Sequence, residues 1–304
     1  VSRDSQKSSG KFDPKFEREF DQKFERKFDP KLGVHSHADD LTFSYDEGVF
    51  GPQPEFRRLD QIRPSLRDPS CDGPDPVYSI VMDVGRREHK DELARRMLLF
   101  GVVVYAAGQL GEEPVRSQGH IHSVAPHCGW STPELFEIWQ GRAIIYAQER
   151  ADDDPGRCFA VTAGPGDKVV VPPGWAHAVI NADPKARMMF GAWCDRQYGF
   201  VYDAIRAHHG LAWFPIFDRQ NSDRQSLDRQ TLDGQQKIHW EPNPSYRSRD
   251  SRSKDLSIRG PRAYPELGLD PSTPIYEQFA NDPDGVQWVS EPARAASAWA
   301  NFEM

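Results

Sequence analysis

The apolar positions of this chain gather in its middle. Leu98 to Ala107 is a nearly unbroken apolar run, the pattern of a strand buried on both faces. Tyr78-Ser-Ile-Val-Met82 predicts a strand before it. Glu134-Leu-Phe-Glu-Ile-Trp carries the aromatic and branched residues that suit a pleated strand, Gly141 marks a turn, and Ala143-Ile-Ile-Tyr-Ala147 returns. Lys168-Val-Val-Val-Pro-Pro ends in a Pro173-Gly174 turn, after which His177-Ala-Val-Ile opens another strand. Met188-Met-Phe-Gly-Ala-Trp193 closes the series. Glu88 to Leu99, with weak apolar spacing, predicts a short helix or an irregular charged stretch.

Either side of this core the pattern changes. In residues 1–45, Phe12, Phe16, Phe20, Phe24 and Phe28 recur every four positions among charged residues. The unit Phe-Asp-Pro-Lys-Phe-Glu-Arg-Glu returns eight residues on as Phe-Asp-Gln-Lys-Phe-Glu-Arg-Lys. One reading is a tandemly expanded, disordered arm, whose removal (residues 1–44) is expected to leave turnover almost unchanged. The other is a short amphipathic helix, bounded by Pro14 and Pro30, that docks on a partner or on the core. The stretch from Phe50 to Pro76 is rich in Pro and Arg (Arg57, Arg58, Arg63, Arg67) and predicts an extended arm. Asp-Arg-Gln recurs at Asp218, Asp223 and Asp228, and in degraded form at Asp233; a period of five fits neither helix nor strand. The expected organisation is therefore an arm over 1–45, a folded domain over 46–217, a polar low-complexity linker over 218–262, and an extension over 263–304. The extension regains apolar residues and is expected to pack on the core or on a neighbouring subunit.

Composition agrees with a small core among polar segments: 38% of the 304 residues are hydrophobic and the mean hydropathy is −0.71. Forty-six acidic against 38 basic residues give a net charge of −8, which argues against general nucleic-acid binding. The same charge gives no long-range attraction to a phosphate ester, so a phosphate site would have to be local. No apolar run approaches a membrane span, and the first residues show no apolar signal region. Cys71, Cys128, Cys158 and Cys194 lack paired metal spacing and fit a reducing compartment, so a cytoplasmic location is expected.

The candidate chemistry lies in two clusters about forty residues apart. The first is Gly119-His120-Ile121-His122, followed by Glu134 and Gly141; the second is Gly166, Pro172, Gly174, His177 and Asn181. Residues i and i+2 of a strand point to one face, so His120 and His122 can aim at one point. Glu134 and Glu137 have opposite parity, so only one should join them. Three imidazoles and one carboxylate suit Fe, Mn, Ni, Zn or Co without choosing among them. If the metal is octahedral, two positions stay open for water or substrate oxygens. The pair His35-Ser-His37, in a polar tail, is read as a decoy.

These clusters resemble the two motifs of the cupin superfamily. The second matches as Gly-x5-Pro-x-Gly-x2-His-x3-Asn from Gly166 to Asn181; the first departs by an insertion, Ser123 to Pro133, between His122 and Glu134. The chain resembles most closely the cupin-type phosphoglucose (glucose-6-phosphate) isomerases, from roughly Phe50 to Gln220. The segments that carry this are Leu110 to His122, Pro133-Glu-Leu-Phe-Glu-Ile-Trp-Gln-Gly141, Trp175 to Asn181, and Asp195-Arg-Gln-Tyr-Gly199. The resemblance implies an all-β double-stranded β-helix, the cupin jelly roll, that binds a divalent metal and interconverts glucose 6-phosphate and fructose 6-phosphate in glycolysis and gluconeogenesis. Its metal ligands map onto His120, His122, Glu134 and His177. Its phosphate-binding residues map onto Ser117 and Gly119, and its tyrosine near the end of the barrel onto Tyr198. Two positions depart from the family: Phe136, where some members have Tyr, and Val103, where a phosphate-holding Thr is expected. A homodimer is expected, with no nucleic-acid or membrane partner.

In such an isomerase a proton moves between C2 and C1 of the open-chain sugar through a metal-stabilised enediolate, or a hydride shifts directly. Glu134 is the first candidate for the base. Arg116 is a candidate for a charge-assisted bond to phosphate, although Arg116 and Ser117 alternate along a strand and both cannot face one cavity without a bulge. His127 and Cys128, in the insertion, are read as lid residues. Two other classes stay open: a metal-dependent dioxygenase on the same barrel, and a non-catalytic sugar- or metal-binding cupin.

Overall fold

A computed structural model describes residues 28–218, 237–247, 255–300 and 302–304. The strands that build the core are β1 (Glu55–Arg57), β2 (Tyr78–Met82), β3 (Leu98–Tyr105), β4 (Glu134–Gln140), β5 (Ala143–Gln148), β6 (Cys158–Ala163), β7 (Lys168–Val171), β8 (Ala176–Asn181), β9 (Met188–Asp195) and β10 (Leu256–Arg259). They form two sheets. The first has the order β7-β4-β9-β3-β2-β1 and is antiparallel throughout. The second has the order β8-β5-β6-β10, with β10 parallel to β6. From β4 onward the chain crosses repeatedly between sheets: β4 in the first, β5 and β6 in the second, β7 in the first, β8 in the second, β9 in the first. That alternation makes the jelly roll, and the expected all-β cupin barrel is the fold observed.

The segment from Val115 to His122 runs along the open edge of β8. Asn181 N–H donates to Val115 O (2.8 Å), Ser117 N–H to Val179 O (3.0 Å), and His120 and His177 exchange both backbone bonds (3.0 and 2.9 Å). Ile121–His122 then pairs with Phe200–Val201. These pairings bring the two sequence clusters side by side.

Strand parity sorts the side chains of the first sheet. Gly101, Val103 and Tyr105 of β3 and Phe190, Ala192 and Cys194 of β9 face the cavity inside the barrel. Phe100 and Trp193 face outward. The C-terminal extension covers that outer face through helix α1 (Ile275–Asn281) and the turn Pro283–Val289. Tyr276 stacks on Trp193 (5.5 Å between centroids) and meets Phe100 edge-on (5.2 Å); Phe279 lies 5.0 Å from Trp193. Trp193 Nε1 donates to Ile275 O (3.2 Å). The extension therefore packs on its own barrel.

Two boundaries differ from expectation. Residues 28–45 of the expected arm belong to the fold: Val34–Ser36 pairs with Phe43–Tyr45, Leu32, Val34 and Leu41 are buried, and the Ser79 hydroxyl donates to Leu41 O. Phe28 packs against the core beside Gly166; Phe12, Phe16, Phe20 and Phe24 lie outside the described residues. Within the expected linker, Ile238–Pro242 pairs with Trp213–Phe217, and β10 joins β6. Ile258 of β10 is half-exposed, so backbone pairing rather than side-chain burial places this strand, and no apolar pattern signals it. The Asp-Arg-Gln repeats after Asp218 lie outside the described residues.

Candidate metal centre and its cavity

His120, His122, Glu134 and His177 converge, one donor atom from each lying within 4.8 Å of the others. Glu134 opens β4 in the first sheet, and His177 stands in β8 of the second. His120 reaches the site through its isolated bridge to His177, and His122 through its two-residue strand. Gly119 lets the chain turn into this segment: its φ is +88°, and a Cβ there would meet the Leu211 side chain at 2.9 Å.

The rings are aimed by their outer nitrogens. His122 Nδ1–H donates to Thr132 O (2.9 Å) and His177 Nδ1–H to Trp175 O (3.1 Å). Carbonyls only accept, so Nδ1 carries the proton in both rings and Nε2 faces the cluster. Glu134 Oε2 lies 3.1 Å from His177 Nε2 and 3.2 Å from His122 Nε2. The His122 contact has the distance of an ion pair but not the direction of a hydrogen bond. His120 Nε2 and His122 Nε2 are in fact buried without a hydrogen-bond partner. Two orphaned imidazole nitrogens beside a carboxylate are costly in a protein interior unless something binds them.

The shifts of His120 and Glu134 suit the same occupant. Burial, then the charges of His177 and His122, push the His120 pKa well below its ordinary value. Burial also acts on His122, but the neighbouring Glu134 carboxylate outweighs it and the net direction is upward. Burial would raise the Glu134 pKa, yet the adjacent His122 and His177 imidazoles bring it well below the usual carboxylate range. A neutral ring and an ionised carboxylate are the forms that ligate. Metal–nitrogen bonds of about 2.1 Å allow ligand atoms roughly 4.2 Å apart across a metal, close to the observed spread. The residues fit a divalent transition metal.

The cavity beside the cluster is largely apolar, with Ile80, Met82, Val103, Phe136 and Phe190 among its walls. Ser117, Gly119 and Glu134 line it as the sequence suggests. The Ser117 hydroxyl accepts from Val179 N–H (3.1 Å). Arg116 does not reach it. The alternation with Ser117 turns Arg116 away, and its guanidinium is buried against Glu113 (2.7 Å), Ser65 O (2.6 Å) and Ser117 O (3.0 Å). The candidate substrate role for Arg116 is corrected to a structural one. Tyr198 is half-buried and packs on Phe200 (5.1 Å), and Phe200 rather than Tyr198 lines the cavity. Polar lining residues that the sequence did not mark include Arg57, Tyr78, Tyr105, Gln118 and Tyr202.

The insertion forms a small hairpin, Val124–Ala125 with Trp130–Ser131. His127 ties it down, with Nε2 3.0 Å from Ser290 O and 3.2 Å from Asp195 Oδ2. His35 contacts the exposed Asp46 (3.0 Å) and belongs to no metal cluster among the described residues. Glu137 points away from the cluster, as its parity predicts, and is buried against Lys168 Nζ (3.4 Å).

No curated protein matches this chain. Among solved structures it is similar to an oxalate oxidase, at 17% identity over 34% of this chain and 45% of the other, with a TM-score of 0.28. A cupin superfamily protein from Desulfitobacterium hafniense is 16% identical over 32% and 65%, with a TM-score of 0.22. A mutant oxalate decarboxylase from Bacillus subtilis is 13% identical over 49% and 31%, with a TM-score of 0.29. The chain spans less than two thirds of each of them. No helix among the described residues is long and apolar enough to cross a membrane.

Jelly roll and ligand cluster together define a cupin with a site that can hold a metal ion. A family model described as glucose-6-phosphate isomerase (GPI) matches residues 66–231, more than half of the chain. The chain belongs to that family.

Proposed function

We propose that this protein is a metal-dependent aldose–ketose isomerase that interconverts glucose 6-phosphate and fructose 6-phosphate. One observation carries the reading: the family segment, 66–231, contains all four converging donors and every residue lining the cavity except Arg57. A divalent metal bound by His120, His122, Glu134 and His177 would supply Lewis-acid polarisation of an adjacent oxygen. The chain's own residues do the rest. Glu134, held ionised, is the candidate to carry the proton between C2 and C1. Ser117 and the Gly119 backbone present small polar groups at the cavity wall. Phe136, Phe190 and Phe200 exclude water from the reacting carbons. Tyr198, behind Phe200, is placed to hold that ring at the rim.

The apolar walls favour one second reading, an oxygen-using metalloenzyme on the same barrel. One assay separates the two. Purified protein is stripped by a chelator and given Mn, Fe, Zn, Ni or Co singly, and fructose 6-phosphate conversion and oxygen uptake are followed. Metal-dependent formation of glucose 6-phosphate is the expected result. A protein that binds metal yet shows no conversion with any of the five, and takes up oxygen with iron, overturns the isomerase reading.

A further inference from the structure

We propose that Arg57 is the anion anchor of the cavity, binding the phosphate group of the substrate through its guanidinium. This rests on the sugar-phosphate reading and adds to it a residue outside the family-matched segment, 66–231. Arg57 is the only Arg or Lys among the described residues lining the cavity. The net charge of −8 gives a phosphate dianion no general welcome, so a cation at the site must supply it. Arg116, the other candidate, is held by Glu113 and two backbone carbonyls.

Strand register places Arg57 in a polar row across the inner wall. Arg57 is opposite Tyr78, and Tyr78 is opposite Tyr105. The two tyrosine rings stack at 4.7 Å, and Tyr105 interacts with the Ser117 side chain. Ser117 in turn is three residues from His120. The row thus runs from the metal-ligand segment to the rim of β1. Val103, in the wall beside it, offers no hydrogen bond, and the Ser117 hydroxyl already accepts from Val179 N–H. The guanidinium supplies what the row lacks, a fixed charge with paired donors that match a phosphate.

Arg57 interacts with the Tyr78 and Tyr202 side chains, and neither neutralises its charge. Its charged partner is Glu55, with Nη1 3.1 Å from Oε2; the Glu55 side chain is 65% exposed and the Arg57 side chain 22%. An exposed carboxylate holds a cation weakly, whereas a phosphate inside the cavity would meet it with less water between them.

The test uses the full chain loaded with Mn, as wild type, Arg57→Met, Arg57→Lys and Glu55→Gln. Calorimetry measures binding of glucose 6-phosphate, inorganic phosphate and glucose, while steady-state kinetics measures fructose 6-phosphate conversion. Loss of a charge-assisted pair predicts that Arg57→Met weakens binding of both phosphates by roughly 10- to 100-fold, with glucose binding and metal content unchanged. The kinetic signature is a raised KM with kcat nearly constant. Arg57→Lys recovers part of the loss, and Glu55→Gln tightens phosphate binding. Wild-type phosphate affinity in a folded Arg57→Met protein overturns the proposal, as does a wild type that binds neither phosphate. If Arg57→Met does not fold, unchanged affinity in both Arg57→Lys and Glu55→Gln overturns it. Turnover that ignores Arg57→Met removes the anchor and leaves the isomerase reading standing. Arg57-dependent phosphate binding without turnover keeps the anchor and removes the isomerase.

Discussion

Residue by residue, the cluster rests on outer hydrogen bonds as much as on the ligands. Thr132 O and Trp175 O fix which nitrogen of His122 and His177 faces inward. Losing such an outer partner typically costs 10- to 100-fold in metal affinity, and losing a ligand should cost more. His120→Ala, His122→Ala and His177→Ala are each expected to bind Mn more than about 100-fold more weakly than wild type, while keeping the wild-type far-UV circular dichroism. Elemental analysis after dialysis checks this, and a folded His177→Ala protein that keeps its metal contradicts the site. The convergence of His120, His122, Glu134 and His177 was legible because their spacing matches the two cupin motifs, which a strand-and-turn frame brings together. Parity said that only one of Glu134 and Glu137 could join the histidines, and the resemblance to the cupin motif chose Glu134. Arg57 was not legible: β1 is three residues long inside a Pro- and Arg-rich stretch, where four arginines look alike until register with Tyr78 selects one. Arg116 was misassigned because a charge beside Ser117 suggests a phosphate ligand, whereas alternation sends it to Glu113.

At the level of elements, β4 joins two jobs on one strand. Its inner face presents Glu134, and its outer face holds the C-terminal extension. Glu137 Oε1 accepts from Ile275 N–H (3.0 Å), the first residue of α1, and Oε2 accepts from Trp139 Nε1 (3.1 Å). Burial dominates the carboxyl and raises its pKa to about 7, against the opposing pull of Lys168 and these bonds. The folded pKa lies above the unfolded one, so the native state holds the extra proton. The stability this contributes is complete below the unfolded carboxyl value and fades as pH rises towards about 7. Glu137→Gln keeps an acceptor but does not titrate. Thermal melts between pH 5 and 8 should show wild type losing ground to Glu137→Gln as pH rises, and parallel curves would contradict the raised pKa. Most elements of the barrel were legible from apolar runs and turns. β10 was not, because parallel pairing to β6 needs no apolar alternation, and neither was the strand Ile238–Pro242 beside its repeats.

Taken whole, the molecule is a barrel whose outer sheet face depends on residues far along the chain. Phe279 is fully buried against Trp193 and His89. Replacing it with Ala removes a large ring from a packed site, so Phe279→Ala should cost about 3–5 kcal/mol in urea unfolding, with Mn affinity retained in the folded protein. A cost under about 1 kcal/mol would mean that the extension contributes little to the core. The arm needs a matching distinction. Residues 28–45 bury Leu32, Val34 and Leu41, so removing 1–44 takes away part of the core, contrary to the neutral deletion expected from sequence.

The order in which these parts occur along the chain sets an order of assembly. All four candidate metal donors and β9 precede the segment 275–289 that covers Phe100 and Trp193. As the chain leaves the ribosome from its N-terminus, the inner site can close while that aromatic face is still bare to solvent. For the interval needed to translate some eighty further residues past β9, the nascent barrel presents a sticky surface next to a finished interior. That interval is when a chaperone would be most useful to this protein.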